Sequence, residues 1–240
     1  GMGNPKLMSN QMAKIPIPIP PLSVQKEIVR ILDKFTELTA ELTAELTARK
    51  KQYDYYREKL LSFEEGDVEW KPLGQVLVRT KGTSITAGQM KILHKDGAPL
   101  KIFAGGKTVA FVDYKDIPDK DINREPSVIV KSRGIIEFEY YDKPFSHKNE
   151  MWSYHSKNEN IDIKFVYHYL RINEPYFQNI GGRMQMPQIS TPDTDKFLIP
   201  IPPLSVQKEI VRILDSFTEL TVELTAELTA RKKQYDYYRD

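Results

Sequence analysis

No cysteine occurs among the 240 residues. A disulfide framework and any thiolate metal site are therefore excluded, which fits a reducing compartment. Histidine is scarce too: the four, His94, His147, His155 and His168, show no ligand spacing, so no metal is expected. Apolar runs long enough to span a bilayer, about 18 residues, are missing. The opening GMGNPKLMSN also lacks the charged and apolar regions of a signal peptide, so a cytoplasmic protein is expected, with neither membrane insertion nor export. Gly1 ahead of Met2 reads as a tag remnant. Nor is there an excess of one charge, with 35 Lys and Arg against 33 Asp and Glu. What is present, 40% hydrophobic and 10% aromatic residues, suffices for one or two packed cores and argues against disorder.

The strongest positive signal is an internal repeat. Residues 17–57, IPIPPLSVQKEIVRILDKFTELTAELTAELTARKKQYDYYR, return at 199–239 with 39 of 41 positions identical; Lys34 faces Ser216 and Ala40 faces Val222. Solenoid repeats adjoin one another and diverge, whereas these copies flank an unrelated stretch of about 140 residues, the pattern of one scaffold element used twice around an insert.

Each copy reads as one helix of about 37 to 40 residues. Pro20-Pro21 and Pro202-Pro203 force an extended lead-in, Ser23 and Ser205 stand where an N-cap belongs, and neither Pro nor Gly follows before Gly66 or the chain end. Val24, Ile28, Ile31, Phe35, Leu38, Leu42, Leu46, Tyr53, Tyr56 and Leu60 form one apolar stripe at steps of three and four. Such a stripe buries itself most simply copy against copy, and an antiparallel pair lets the insert begin and end in one place.

Within the helix, TELTAELTAELTA (36–48) repeats a unit of four. One unit adds roughly 6 Å and about 40° beyond a full turn, so units can be gained or lost while the stripe stays nearly continuous. An adjustable spacer between two DNA readers and a linker shaped by replication slippage both fit this pattern.

The insert holds short β-branched or aromatic runs bounded by turn residues: GQVLVRT, LKIFAG, TVAFVDY, PSVIVKS and GIIEFEYY. DIKFVYHYLRIN (162–173) has helical spacing, so a mixed α and β domain is expected. Residues 64–196 balance 19 basic against 19 acidic residues, but 71–111 carry Lys71, Arg79, Lys81, Lys91, Lys95, Lys101 and Lys107 against Asp96 alone, suggesting one basic face. Three loops could reach nucleotide base edges. TKGTSIT (80–86) sets Lys81, Thr83, Ser84 and Thr86 around a flexible Gly82, AGGKT (104–108) offers Lys107 and backbone amides, and GGRMQMPQ (181–188) carries Arg183, Gln185 and Gln188. Arg pairs with guanine and Gln with adenine, which puts Arg183 and Gln185 first as base readers. In FEYYDKPF the alternation favours core packing over base stacking.

The run IPIPPLSVQKEIVRILD with its Thr-Ala-Glu-Leu units and ARKKQYDYYR resembles the conserved regions of the specificity subunits of type I restriction-modification enzymes. KPLGQVLVRTKGTSITAGQ, PSVIVKSRGIIEFEYYDKPFSHKNEMW and GGRMQMPQISTPDTDKFLIPIPPL extend the likeness, more weakly, through the insert. The resemblance implies a non-catalytic subunit that reads one half of a bipartite target on double-stranded DNA, with no cofactor of its own. Methyltransferase (M) and motor-nuclease (R) subunits would be its partners. The family alternates two target-recognition domains with two helices; here one such domain is present, and GNPKLMSNQMAKIPIPIPPL resembles the tail of another. The expected organisation is α+β. Residues 1–16 are read as a remnant or tag, 17–63 as the first helix, 64–198 as a mixed α/β target-recognition domain and 199–240 as the second helix, the two helices forming an antiparallel coiled coil. A homodimer would restore two recognition domains. A structural coiled-coil adaptor with a protein-binding insert is the competing reading.

No catalytic site is expected. NEPY (173–176) is similar to the Asn-Pro-Pro-Tyr loop of adenine methyltransferases, but Glu174 replaces the first Pro and no Gly-rich cofactor turn accompanies it, so it reads as a loop closing the preceding helix. PDKD (118–121) reads as a turn, and AGGKT lacks the first Gly of a phosphate-binding loop.

Overall fold

The computed structural model describes residues 12–64, 66–182 and 186–239, which fall into two compact units: residues 51–219, and the flanking parts, up to 50 and from 220. Two long helices cross the boundary, α1 (Leu22–Leu60, 39 residues) and α7 (Leu204–Arg239, 36 residues).

Both begin before the serines expected to cap them, so Ser23 and Ser205 occupy the second helical position. The proline carbonyls replace the cap. Pro21 O accepts from Val24 N and Gln25 N, Pro203 O accepts from Val206 N and Gln207 N, and the Gln25 and Gln207 side-chain amides each donate to the preceding proline's carbonyl at 2.7 Å. In the flanking unit the two helices run antiparallel: Phe35 stacks on Tyr238 (5.5 Å between centroids), while Leu46 and Leu228 are buried farther from those ends. In the larger unit Phe217 stacks on Tyr56 and meets Tyr53 edge-on.

The apolar stripe is only partly a core. Val24 and Ile28 are 44% and 46% exposed, whereas Ile210 and Leu214, the second-copy counterparts of Ile28 and Leu32, are 4% and 0% exposed. Packing, not sequence, makes the difference: Ile210 and Leu214 sit in the main core of the 51–219 unit.

That unit is built on a four-stranded antiparallel sheet of order β2-β8-β5-β6. Its strands are β2 (Val78–Thr80), β5 (Ser127–Lys131), β6 (Glu137–Tyr141) and β8 (Trp152–His155). Helix α4 (Ile163–Ile172), capped by Asp162 accepting from Lys164 N and Phe165 N, lays Phe165, Val166 and Leu170 against this sheet. Each such side chain contributes roughly 1.5–3 kcal/mol. A ribbon pairs β1 (Glu69–Pro72) with β9 (Leu198–Ile201), Trp70 opposite Pro200, so the unit's first strand is tied to the strand leading into α7. On α7, Gln207 accepts from Asp162 N and donates to Asn160 O, and Asp215 accepts from Lys164 Nζ at 2.6 Å.

A second, three-stranded sheet joins β3 (Leu100–Phe103) antiparallel to β4 (Val109–Val112) and parallel to β7 (Phe145–His147). Several runs differ from expectation. The first half of GQVLVRT is a helical turn, α2 (Leu73–Val76), because Leu73 seals the core with 0% exposure. Residues 87–93 form α3 (Ala87–Leu93), and Asp119–Asp121 is a 3-10 turn, as PDKD suggested. Asn173 ends α4 and opens α5 (Glu174–Gly181), where Glu174 accepts from Phe138 N, so NEPY is a helix junction. In FEYYDKPF, Phe138 and Phe145 are buried, as core packing requires.

Candidate functional site

The segment 145–151, leaving β7 and turning into β8, is the spine on which the three expected loops meet. Thr83 N donates to His147 O (2.8 Å), fixing the 80–86 loop. Lys148 N donates to Phe103 O (2.9 Å), fixing the 104–108 hairpin. Ser132 links the third: its hydroxyl donates to Glu150 O (2.6 Å) and its carbonyl accepts from Ile189 N (3.0 Å). Loops up to a hundred residues apart in sequence are therefore gathered on one segment, two by direct backbone bonds and the third through Ser132.

A buried polar knot stiffens the junction. His147, 0% exposed, has Nδ1 at 3.1 Å from Lys148 O, which only accepts, so Nδ1 carries the proton and Nε2 accepts from a hydroxyl of Thr80 (3.3 Å) or Ser153 (3.4 Å). Burial holds this imidazole below the ordinary histidine range, against the raising effect of the Lys148 carbonyl. Gly82 is not flexible here: a Cβ would lie 2.4 Å from His147 O and 2.5 Å from Lys148 O, so the loop fits only without a side chain.

Beside the knot opens a cleft of about 340 Å³, lined among others by Arg79, Lys81, Asn149, Trp152 and Thr191. Arg79 pairs with Asp195 (3.3 Å), which also accepts from Tyr154 Oη (2.6 Å). Burial first, and Asp195 second, push that phenol far above its ordinary value. Trp152 Nε1 donates to Thr194 at 3.1 Å, so the short helix α6 (Thr191–Asp195) is bolted to β8 below the cleft. Lys148 pairs with Glu150 (2.6 Å). Burial raises the Glu150 carboxyl, but the Lys148 contact and the charges of Lys148 and Arg133 outweigh it and hold the group below its usual range.

The expected contact residues divide. Lys81 is exposed and lines the cleft, Ser84 is exposed, and Lys107 is exposed on the β3–β4 hairpin, outside the cleft lining among the described residues. Thr83 is 3% exposed and presents nothing to solvent. Thr86 caps α3: its hydroxyl accepts from Gln89 N while Gln89 Oε1 accepts from Thr86 N. Gln188 is exposed and accepts from Arg133 Nε at 3.0 Å. Arg183 and Gln185 lie outside the described residues. Four of the seven cations between 71 and 111 are ion-paired. Lys71 pairs with Glu69, Arg79 with Asp195, Lys95 with Asp113 and Lys101 with Glu139, the last ammonium also lying over Phe103 and Tyr141. Lys81, Lys91 and Lys107 make no ion pair among the described residues. Sequence reasoning missed Arg133, Asn149 and Thr191. The polar run HKNE between Phe145 and Trp152 was the available signal for Asn149.

A larger groove, about 580 Å³, runs along α7 between Lys50 and Lys233. Its Thr225 and Thr229 hydroxyls are spent on carbonyls one turn earlier in their own helix, so it offers little polar chemistry.

A family model described as "Type I restriction modification DNA specificity domain" matches residues 1–49 and 67–232. The specificity subunit of the type I restriction enzyme EcoR124I/EcoR124II of Escherichia coli is 35% identical over 95% of this chain and 62% of its own length. A putative counterpart from Haemophilus influenzae is 33% identical over 100% of this chain and 66% of its own; this chain thus spans under two thirds of either relative. A putative type I specificity subunit of Mycoplasma pneumoniae is 29% identical over 95% of both chains. In fold, the crystal structure of a type I restriction-modification S subunit from M. genitalium aligns over 91% of this chain and 60% of its own, with TM-score 0.67 at 16% identity.

Proposed function

Because the chain belongs to the family of type I restriction modification DNA specificity domains, we propose that it is a non-catalytic subunit that recognises a short sequence on double-stranded DNA. Residues 64–198 act as the reader; 17–63 and 199–240 are the helical scaffold. The observation that carries this reading is the convergence of the 80–86, 104–108 and 186–190 loops on the 145–151 spine. Ammonium groups at Lys81 and Lys107, without an ion pair among the described residues, supply phosphate attraction, while Asn149 and Thr191 in the cleft and Ser84 beside it offer donors and acceptors for base edges. The neutralised cations at Lys71, Arg79, Lys95 and Lys101 favour the alternative, an adaptor whose insert binds protein. The gathered loops outweigh it, since a protein-binding insert needs no such rigid polar rim.

One recognition domain reads one half of a bipartite target. The other half comes from a second recognition domain, which a homodimer would supply. Methylation and cleavage belong to methyltransferase and motor-nuclease subunits docked on this scaffold in the cytoplasm. The test is co-purification with the cognate methyltransferase subunit and mapping of methylated adenines on random DNA. Methylation at one discrete motif supports the reading; a chain that binds no methyltransferase subunit and enriches no DNA sequence returns it to an adaptor.

A further inference from the structure

The turn joining β5 to β6 has a construction that the cleft does not use. Arg133, Gly134 (φ 74°) and Ile135 make its tip, and residues 186–189 run antiparallel beside it. Gly134 N donates to Pro187 O (2.9 Å) and Ile189 N to Ser132 O (3.0 Å). Between these two backbone bonds Arg133 Nε donates to Gln188 Oε1 at 3.0 Å. Ser132 fastens the base of the tip to the spine through Glu150 O. An exposed arginine ordinarily spreads over many rotamers; this one bonds an amide carried on a segment whose main chain is paired on both sides.

The held donor is Nε. The fork left over, Nη1 and Nη2, is the end-on pair of donors that matches O6 and N7 of a guanine in the major groove. Arg133 makes no ion pair among the described residues, and its one side-chain hydrogen bond there uses Nε, which leaves the fork unpartnered among them. Beside it stand Ile135 and Met186, opposite one another if the 133/188 register is continued, and exposed by 60% and 63%. Two large apolar side chains at one projecting tip gain nothing from the chain's own core, but thymine methyl groups line the same groove that would admit a two-stranded ribbon of this width.

We propose that this tip is the principal base-reading element, that Arg133 selects guanine at one position of the target, and that Gln188 positions it; the inference rests on the DNA reading above. The experiment selects bound sequences from a randomised duplex library with the full chain in complex with its methyltransferase subunit, for the unmodified protein and for Arg133→Lys, Arg133→Gln, Gln188→Ala and Arg183→Ala. Melting temperatures are recorded in parallel. The expected result is a motif with one guanine whose preference, on the order of ten- to hundredfold, collapses in Arg133→Lys with the charge retained and shifts toward adenine in Arg133→Gln. Gln188→Ala weakens the preference at that position alone, and melting is unchanged throughout. A motif that survives every Arg133 variant, or that loses its guanine only in Arg183→Ala, overturns the assignment of Arg133 while leaving the DNA reading standing. A complex that enriches no sequence overturns both.

Discussion

Replacing Gly82 by alanine tests whether the loops are held as described. The new methyl carbon would sit 2.4 Å from His147 O and 2.5 Å from Lys148 O, where a carbon–oxygen contact needs about 3.3 Å. The 80–86 loop must therefore retreat by roughly 1 Å, and the 2.8 Å bond from Thr83 N to His147 O stretches beyond hydrogen-bonding range. Overpacking costs about 1–3 kcal/mol. The Thr83 N–H, on a residue only 3% exposed, is left without a partner for about another 1–3 kcal/mol. The total of about 2–6 kcal/mol corresponds to a fall in melting temperature of roughly 4–24 °C for a unit of this size. Gly105→Ala is the control: nothing lies within 4 Å of its added carbon, so its effect stays within about 0.5 kcal/mol. Thermal melts by circular dichroism compare the two variants, and DNA binding follows as a second readout, since Lys81 moves with the loop. If Gly82→Ala melts with Gly105→Ala, the loop is not clamped to the spine and the site is not preorganised.

Acidification should destabilise the fold. Burial lowers the pKa of His147 and, against the raising effect of Asp215, of His168. The unfolded chain therefore takes up protons first: stability is full above about pH 6.5 and is lost as pH falls toward the folded values, by about 1.4 kcal/mol for each unit of depression at each site. Equal urea midpoints at pH 7.5 and 5.5 would contradict this. Lys81→Ala should weaken binding to all DNA sequences alike and reduce the slope of log K against log salt by about 0.9, leaving the motif intact; a changed motif would make Lys81 a base reader instead. One Thr-Ala-Glu-Leu unit inserted after Ala40 and another after Val222 lengthens both helices by roughly 6 Å and keeps Phe35 matched to Tyr238. The melting temperature should hold, and in a complex with two recognition domains the preferred half-site spacing should change; unfolding would sink the spacer idea.

The recognition loops were legible as loops because Gly, Ser and Thr cluster between β-branched runs, but their contacts were not. Gly82 reads as flexible in sequence because its backbone has no side chain to restrain it; in three dimensions it is crowded, pressed on two carbonyls that lie 65 and 66 residues onward. The basic run 71–111 reads as one face because its carboxylate partners Asp113, Glu139 and Asp195 lie outside it in sequence. Arg133 escaped notice because its partner is 55 residues away.

The two helices draw the division most clearly. Apolar spacing, the double proline and the absence of helix breakers determine a long helix twice over, since those terms are local and the copies share 39 of 41 residues. Whether a given leucine or isoleucine is core or surface is not local. Ile17 is 73% exposed and its counterpart Ile199 is 0%; Ile28 is 46% exposed and Ile210 is 4%. The second copy lies against β1 and α4 in the 51–219 unit, where burial removes its apolar area from water, and the first copy's equivalent face has no such neighbour among the described residues. Identical side chains thus differ in role because the hydrophobic effect acts on what surrounds a residue, and that is decided only when the chain folds.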